Sequence, residues 1–421
     1  MTADVYEVPS GRVARGVAAA PPSKSHTHRA LLCASLAAGT SRLLGPLESD
    51  DTAATRGCLE ALGVAVDDGA GAWEVRGLGG SLGAPGAPLD CGSSGTTLRL
   101  LAALCAAVPG RRLLTGSPQL RRRPMVDLVR PLEALGARLG WEGAPGFAPV
   151  AVTGCRWRGG EVLVPSGASS QFLSGLLLAA PLAEGFTFLR APDLVSAPYA
   201  QLTASVMGRF GAPVRREGDV WCVYPARYAP AVETVEPDAS AAAFLLAAAA
   251  VTGGEVTVPG MGRGLLQGDA AVLDHLRAFG VEVSESAAGA RASGTPASGA
   301  DLDLGGCPDL VPPLAAVAFA APGPSRFRGI GHLRHKESDR LAGLAGLVRA
   351  LGGAAEVGEG ELRIAPPKRP CSADLDPKAD HRMAMAGALM GLRVPGARVL
   401  DPRCVAKSFP GFWETLEGLL G

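Results

Sequence analysis

The chain has 421 residues, of which 47% are apolar and only 5% aromatic, with 40 Lys plus Arg balanced by 40 Asp plus Glu. That length exceeds one ordinary core and points to two domains. Zero formal net charge excludes the broad basic surface of a nucleic-acid binder, so any cationic site must be a local concentration on a neutral protein.

Residues 1–9 carry Asp4 and Glu7 and lack an apolar signal core, and residues 5–8 and 12–17 read as short strands. An Ala/Leu-rich helical stretch ending in glycine then recurs six times, at 25–39, 96–110, 169–185, 239–253, 310–323 and 381–396. The terminal glycines are spaced 71, 75, 68, 70 and 73 residues apart, and each is expected to be a left-handed cap. After each comes a β-like run such as 41–44, 186–189 or 255–258, then a polar loop and an amphipathic helix. These second helices also end in glycine, at Gly63, Gly136, Gly211, Gly280, Gly352 and Gly421, spaced 73, 75, 69, 72 and 69 apart. Alternating pairs such as 64–66 and 73–75 suggest a hairpin to follow.

Two glycine series with one spacing imply six helix-strand-helix-strand-strand units, too small to fold singly and therefore sharing cores. Three units per domain follow. The last unit stops at its second helix, and the N-terminal strands 5–8 and 12–17 are expected to supply its missing hairpin. That places residues 21–236 in a central domain and residues 1–20 plus 237–421 in a terminal one. Nine cysteines lie scattered without Cys-x-x-Cys or metal spacing and read as reduced core thiols. The longest apolar run, 241–251, is far short of the ~20 residues a membrane span needs, so a cytoplasmic protein is expected.

Polar residues gather at the starts of the first helices: Ser23-Lys24-Ser25, Ser93-Ser94-Gly95-Thr96, Ser169-Ser170-Gln171, Asp238-Ala239-Ser240, Pro308-Asp309 and Asp380-His381-Arg382. Capping explains Ser and Asp there. It does not explain Lys24 or Arg382, because cations oppose the dipole at that end, and their presence suggests a bound anion. The strand-to-helix loops add Glu48 to Asp51, Arg121-Arg122-Arg123-Pro124, Lys336-Glu337-Ser338-Asp339-Arg340 and Lys407-Ser408-Phe409-Pro410. In a repeat architecture equivalent loops share a rim, and two such rims facing across a cleft would suit ligands rich in phosphate and carboxylate. Cations must then offset the repulsion of two polyanions, and proton transfer needs a carboxylate and a lysine among them. Asp309, Glu337 and Lys24 are the candidates.

In these segments the chain resembles the 3-phosphoshikimate 1-carboxyvinyltransferase (EPSP synthase) family: Pro22-Ser23-Lys24-Ser25 with Arg29, Gly95-Thr96 with Arg99, Arg123-Pro124, Ser169-Ser170-Gln171, Pro308-Asp309, Lys336 to Arg340, Asp380 to Met385 and Lys407 to Pro410. The resemblance implies an α/β fold of two similar three-unit domains, the inside-out α/β barrel type. It implies attack of the shikimate 3-phosphate 5-hydroxyl on C2 of phosphoenolpyruvate, a tetrahedral intermediate and loss of phosphate, with no metal or organic cofactor. Carried over by position, Lys24, Ser25, Arg29, Ser169, Ser170, Gln171, Ser196, Tyr199, Asp309, His332 and Lys336 contact shikimate 3-phosphate. Lys24, Gly95, Arg123, Gln171, Arg340, Arg382 and Lys407 surround phosphoenolpyruvate. The resemblance implies that Asp309 is the base for the 5-hydroxyl and that Glu337 with Lys24 exchanges a proton at C3. Arg99, Arg121 and Arg122 are read as rim or structural charges, and His381 as structural.

Three positions depart from common family patterns: Ser93, His332 and His28 stand where Asn is frequent. These bear on affinity, with a pH dependence expected of His332, and not on reaction type. Gly95 leaves the phosphoenolpyruvate pocket without a methyl, so inhibition by glyphosate is expected. A monomer acting on small molecules, without nucleic-acid or membrane partners, is the expected form. The UDP-N-acetylglucosamine enolpyruvyl transferases carry a cysteine in a central loop, whereas residues 117–123 here hold none. An RNA-end-processing enzyme or scaffold of related repeats would want a basic surface, stacking aromatics and a nucleotide loop, whereas net charge is zero, aromatics are few and no P-loop appears.

Overall fold

Helices made almost wholly of Ala, Leu, Val and small residues have no polar face to turn to water, so they must lie inside. In the computed structural model, which describes residues 5–421, six such helices do so. Residues 1–4, with Asp4 of the N-terminal segment read above, lie outside the described residues. The six are α1 (Lys24–Leu36), α3 (Gly95–Ala107), α5 (Gln171–Ala179), α7 (Ala239–Thr252), α9 (Val311–Ala320) and α11 (His381–Gly391). Alternating with them are α2 (Asp50–Ala61), α4 (Val126–Ala134), α6 (Ala197–Arg209), α8 (Val272–Ala278), α10 (Arg340–Ala350) and α12 (Phe412–Leu420). This second set buries one stripe only, as with Phe412, Leu416, Leu419 and Leu420 of α12.

The chain divides into two units, one of Pro22–Glu236 and one of Met1–Pro21 with Pro237–Gly421. In the first, α5 packs against both α3 and α6, and α1 against α6. In the second, α7, α9 and α11 pack on one another.

Each unit carries three sheets of one pattern. In five of the six the strand after a buried helix has an antiparallel hairpin on one side and a short parallel strand on the other, and in the sixth a single antiparallel strand stands in for the hairpin. Gly110–Thr115, for instance, lies between Leu89–Asp90 and Val150–Gly154, with Arg138–Trp141 outside. Register repeats as well: Leu43 faces Trp73 in the first sheet and Leu189 faces Trp221 in the third. The short parallel strands run for two to four residues, too few to show a period-two pattern, and of the six only the one at 15–17 fell in a segment read from the sequence as a strand. Four of the six close a strand-helix-strand crossover, around α3, α5, α9 and α11. At α1 and α7 the partners exchange along the chain. Val232–Thr234, which leads into α7, pairs with Thr40–Leu44 after α1, while Arg15–Val17 pairs with Glu255–Val258 after α7.

Two expectations change. The N-terminal segments do not form one hairpin. Val5–Glu7 joins Arg398–Leu400 antiparallel, completing a three-stranded sheet with Asp374–Leu375, whereas Arg15–Val17 enters another sheet. Second, the glycines after the buried helices are mostly not caps. α1 and α3 end in extended residues, Ala37 and Val108, before their glycines arrive, and only Gly253 caps its helix in the left-handed region. The glycines after the amphipathic helices do take positive φ, from Gly63 at 98° to Gly352 at 90°. Those helices lie near the surface, where the chain must reverse sharply into a hairpin.

Glycine has another use at the buried ends. A Cβ on Gly154 would lie 2.1 Å from the Cys105 carbonyl oxygen and 2.2 Å from that of Val108. Gly77 meets the Ala34 and Ala37 carbonyls in the same way, at 2.3 Å each. The strand end therefore rests directly on the last turn of the buried helix. Gly154→Ala is expected to destabilise by about 1–3 kcal/mol, seen as a lower urea midpoint at unchanged m-value.

Candidate active site

In the unit that contains residues 237–421, charge converges on one guanidinium. Arg340 opens α10, is 1% exposed, and donates from Nε to Asp380 Oδ2 at 2.8 Å and from Nη2 to Asp380 Oδ1 at 3.2 Å. Its Nη1 reaches Asp309 Oδ1 and its Nη2 reaches Glu337 Oε2, both at 2.9 Å. Burial alone would favour neutral Arg340, but Asp380, Glu337 and Asp309 hold it well above the usual arginine range. Asp309, on the turn Pro308–Leu310 before α9, also meets Arg382 Nη2 at 3.2 Å. Glu337 Oε1 lies 3.8 Å from Lys407 Nζ. Burial would raise the Asp309 pKa, yet Arg382, Lys336 and Arg340 together hold its carboxyl well below the ordinary range. Asp309 is thus a carboxylate at any physiological pH.

Asp380 does two jobs. It caps α11, accepting from the backbone N–H of Arg382 at 3.1 Å, and it accepts from Ser338 Oγ at 3.0 Å while gripping Arg340. The backbone bends hard around these groups. Lys378 and Ala379 before Asp380 take φ of 55° each, and Asp401, which starts the turn ending at Lys407, takes 46°. Such left-handed non-glycine residues cost roughly 1–3 kcal/mol each and collect at functional sites.

In the unit of residues 22–236, the starts of α1, α3, α5 and α6 carry the corresponding set. Lys24 Nζ meets Asp51 Oδ2 at 3.0 Å, with Asp51 on the first turn of α2. Arg29 is buried and bonded to neutral oxygens of Thr203, Ser25, Ser174 and Tyr199. Arg99 Nη1 donates to Gln171 Oε1 at 2.8 Å and to Ser169 Oγ at 3.4 Å, and Gln171 Nε2 donates to Thr96 Oγ1 at 2.9 Å. Arg123 packs so tightly on Gly95 that a Cβ there would fall 2.5 Å from its Nη1. Ser170 is buried at the N-cap of α5. Ser196, also buried, starts α6 with φ of 53°. Ser93 Oγ contacts Ser117 Oγ at 2.8 Å, tying the glycine turn to the loop that leads to Arg123.

Known proteins resemble this chain along nearly its whole length. Residues 9–416 match the family model described as EPSP synthase (3-phosphoshikimate 1-carboxyvinyltransferase). A 3-phosphoshikimate 1-carboxyvinyltransferase of Methanoculleus marisnigri is 44% identical over 408 residues, covering 95% of this chain and 96% of the relative. One from Syntrophobacter fumaroxidans is 42% identical over 405 residues, covering 95% and 96%.

The chain belongs to the EPSP synthase family.

The solved EPSP synthase of Acinetobacter baumannii superposes with a TM-score of 0.81 at 28% identity, covering 98% of this chain and 97% of that one. The enolpyruvyl transferase NikO of Streptomyces tendae shares the fold at TM-score 0.76 and 21% identity, covering 99% and 97%. The fold is that of the EPSP synthases, two α/β domains of the inside-out type. No helix among the described residues is long and apolar enough to cross a membrane. Among those residues no group of three or more His, Cys, Asp or Glu side chains is placed to hold a metal ion.

The geometry revises one inference about this EPSP synthase family member. Lys24 and Arg382 oppose their helix dipoles, but each has a resident carboxylate, Asp51 and Asp309, so neither by itself demands a bound anion. Asp51, Asp380, Thr96, Ser174 and Thr203 escaped the sequence reading as site residues. Asp380 looked like a helix cap, and an acid at a first turn like Asp51 is ordinary helix chemistry. The signal for Asp380 was its place directly before His381-Arg382, since one carboxylate there can both cap the helix and pair with an arginine.

Two of the departures from family pattern are buried histidines. His28 donates or accepts at Thr55 Oγ1, 2.7 Å from its Nδ1, and burial pulls its pKa down to about 3. His332 sits on the turn Gly331–His335, and burial with help from Lys336 lowers it to about 4. Neither is charged near neutrality. In the unfolded chain both titrate near the ordinary 6.5, so between that pH and their folded values the unfolded state binds more protons. Stability from each is full above about pH 6.5 and is lost on acidification at about 1.4 kcal/mol per pH unit. Asp269, pushed up to about 6 by burial and Asp309, works in the opposite sense. The diagnostic is therefore a difference. Urea unfolding from pH 7 to 5 should show a shallower pH slope for His28→Asn and for His332→Asn than for the wild type.

Proposed function

We propose that this chain transfers the enolpyruvyl group of phosphoenolpyruvate to the 5-hydroxyl of shikimate 3-phosphate, the step that leads to chorismate and the aromatic amino acids. The observation that carries the site assignment is the Asp309 carboxylate held between Arg340 and Arg382. A bond forms from the 5-oxygen to C2 while the hydroxyl proton passes to Asp309 and a proton is added at C3. The tetrahedral intermediate then loses a proton from C3, the C2–O bond to phosphate breaks, and phosphate leaves with its electrons. Products are 5-enolpyruvylshikimate 3-phosphate and phosphate.

Asp309 raises a physical difficulty that the same network resolves. A carboxylate stabilised by Arg382, Lys336 and Arg340 is always ionised but is a poor proton acceptor. Substrate anions that draw on these cations weaken their hold and raise the basicity of Asp309 when the 5-hydroxyl is present. Glu337, placed between Arg340 and Lys407, and Lys24, beside Asp51, are the proposed partners for exchange at C3. Arg123, Arg340, Arg382 and Lys407 hold phosphoenolpyruvate with Gly95, Gln171 and Lys24. Ser25, Arg29, Ser169, Ser170, Gln171, Ser196, Tyr199, His332 and Lys336 hold shikimate 3-phosphate. On this reading the protein is a cytoplasmic monomer acting on small molecules with no metal or organic cofactor.

Phosphate release measured with both substrates should fall by roughly 10²–10⁴ in Asp309→Ala, as for loss of a general base, and equal rates would remove the assignment. Glyphosate should inhibit the wild type, and undiminished turnover at millimolar glyphosate would count against that. Gly95→Ala, whose methyl would press on the Arg123 guanidinium, should be less sensitive and show a raised KM for phosphoenolpyruvate.

A further inference from the structure

Arg29 is 2% exposed, and its guanidinium is held from one side by neutral groups. Nε donates to Thr203 Oγ1 at 2.6 Å, Nη2 to Ser174 Oγ and to the Tyr199 carbonyl at 3.2 Å each, and Nη1 to the Ser25 carbonyl at 2.9 Å. Among the described residues no carboxylate contacts it, in contrast to Arg340. A guanidinium carries five N–H donors, so one on Nη1 remains beyond these bonds. A buried cation with no anion is costly unless a ligand supplies one.

Thr203 and Ser174 are 0% exposed and touch each other, Thr203 Oγ1 donating to Ser174 Oγ at 3.0 Å or to the Tyr199 carbonyl at 2.9 Å. Each sits one helical turn inside a proposed substrate contact. Ser174 follows Ser170 on α5 and Thr203 follows Tyr199 on α6. The Thr203 hydroxyl bonds the Tyr199 carbonyl four residues back, which selects one of the two helical χ1 rotamers open to threonine and places its oxygen as an acceptor for Arg29 Nε.

We propose that Thr203, backed by Ser174, is a positioning residue that locks the Nε edge of Arg29 and aims the remaining Nη1 donor at an oxyanion of shikimate 3-phosphate. This rests on the assignment of Arg29 to that substrate. Thr203→Val keeps the shape and removes the acceptor. It should raise the KM for shikimate 3-phosphate about tenfold, as for loss of a hydrogen bond to a charged group. The KM for phosphoenolpyruvate and kcat should stay within about twofold on the same reasoning, and Thr203→Ser should restore the wild-type KM. If Thr203→Val does not fold, Ser174→Ala, which removes one of the two Nη2 acceptors and the hydroxyl that backs Thr203, gives the same readout in the same direction. Arg29→Lys is measured alongside. A raised KM for shikimate 3-phosphate in Arg29→Lys with a wild-type value in Thr203→Val would overturn the positioning role and leave the Arg29 assignment standing. Wild-type values in both would overturn the Arg29 assignment and this inference with it. Equal losses toward both substrates, unrescued by Thr203→Ser, would show a purely structural role and also overturn it.

Discussion

A guanidinium that is almost fully enclosed is costly to keep charged without partners, and the unit of residues 237–421 is arranged around meeting that cost at Arg340 with fixed negative charge. Three carboxylates do so, from the turn before α9, the loop before α10 and the cap of α11. Each also serves something else. Asp309 pairs with Arg382, Glu337 lies by Lys407, and Asp380 fixes the start of α11. Removing one carboxylate would leave buried positive charge incompletely paired and loosen three helix starts at once, an effect larger than the loss of one contact. The ring is nearly balanced in charge, which makes it a stable resting state and also a reservoir of cations for anionic substrates to claim.

Arg29 in the other unit is the opposite case. It is as buried as Arg340 but is held by hydroxyls and carbonyls alone. Neutral acceptors orient a guanidinium without quenching its charge, so its pull on an incoming anion survives, although burial lowers its pKa to about 10. One arrangement keeps a carboxylate ionised and the other keeps a cation unspent.

Some of this could be read in the chain and some could not. Six Ala/Leu-rich helices and six amphipathic ones at a spacing near seventy residues were legible, because helical period and composition are local properties. So were the charged segments at their starts, and the family resemblance they carry. The short parallel strands other than that at 15–17, the split of the N-terminal segments between two sheets, and the extended ends of α1 and α3 were not legible. Each depends on what packs alongside, as with Gly77 and Gly154 resting on helix carbonyls.

The sequence by itself determined the repeat, the two α/β domains, the charged residues available and the kind of anion they suit, since residue type and spacing suffice for those. Only the tertiary structure decided which charges are already answered. Lys24 has Asp51, Arg382 has Asp309 and Arg340 has three acids, while Arg29 has Thr203 and Ser174. The Coulomb energy of a buried charge is largest for the groups it touches, and those neighbours come from distant parts of the chain that no local pattern encodes.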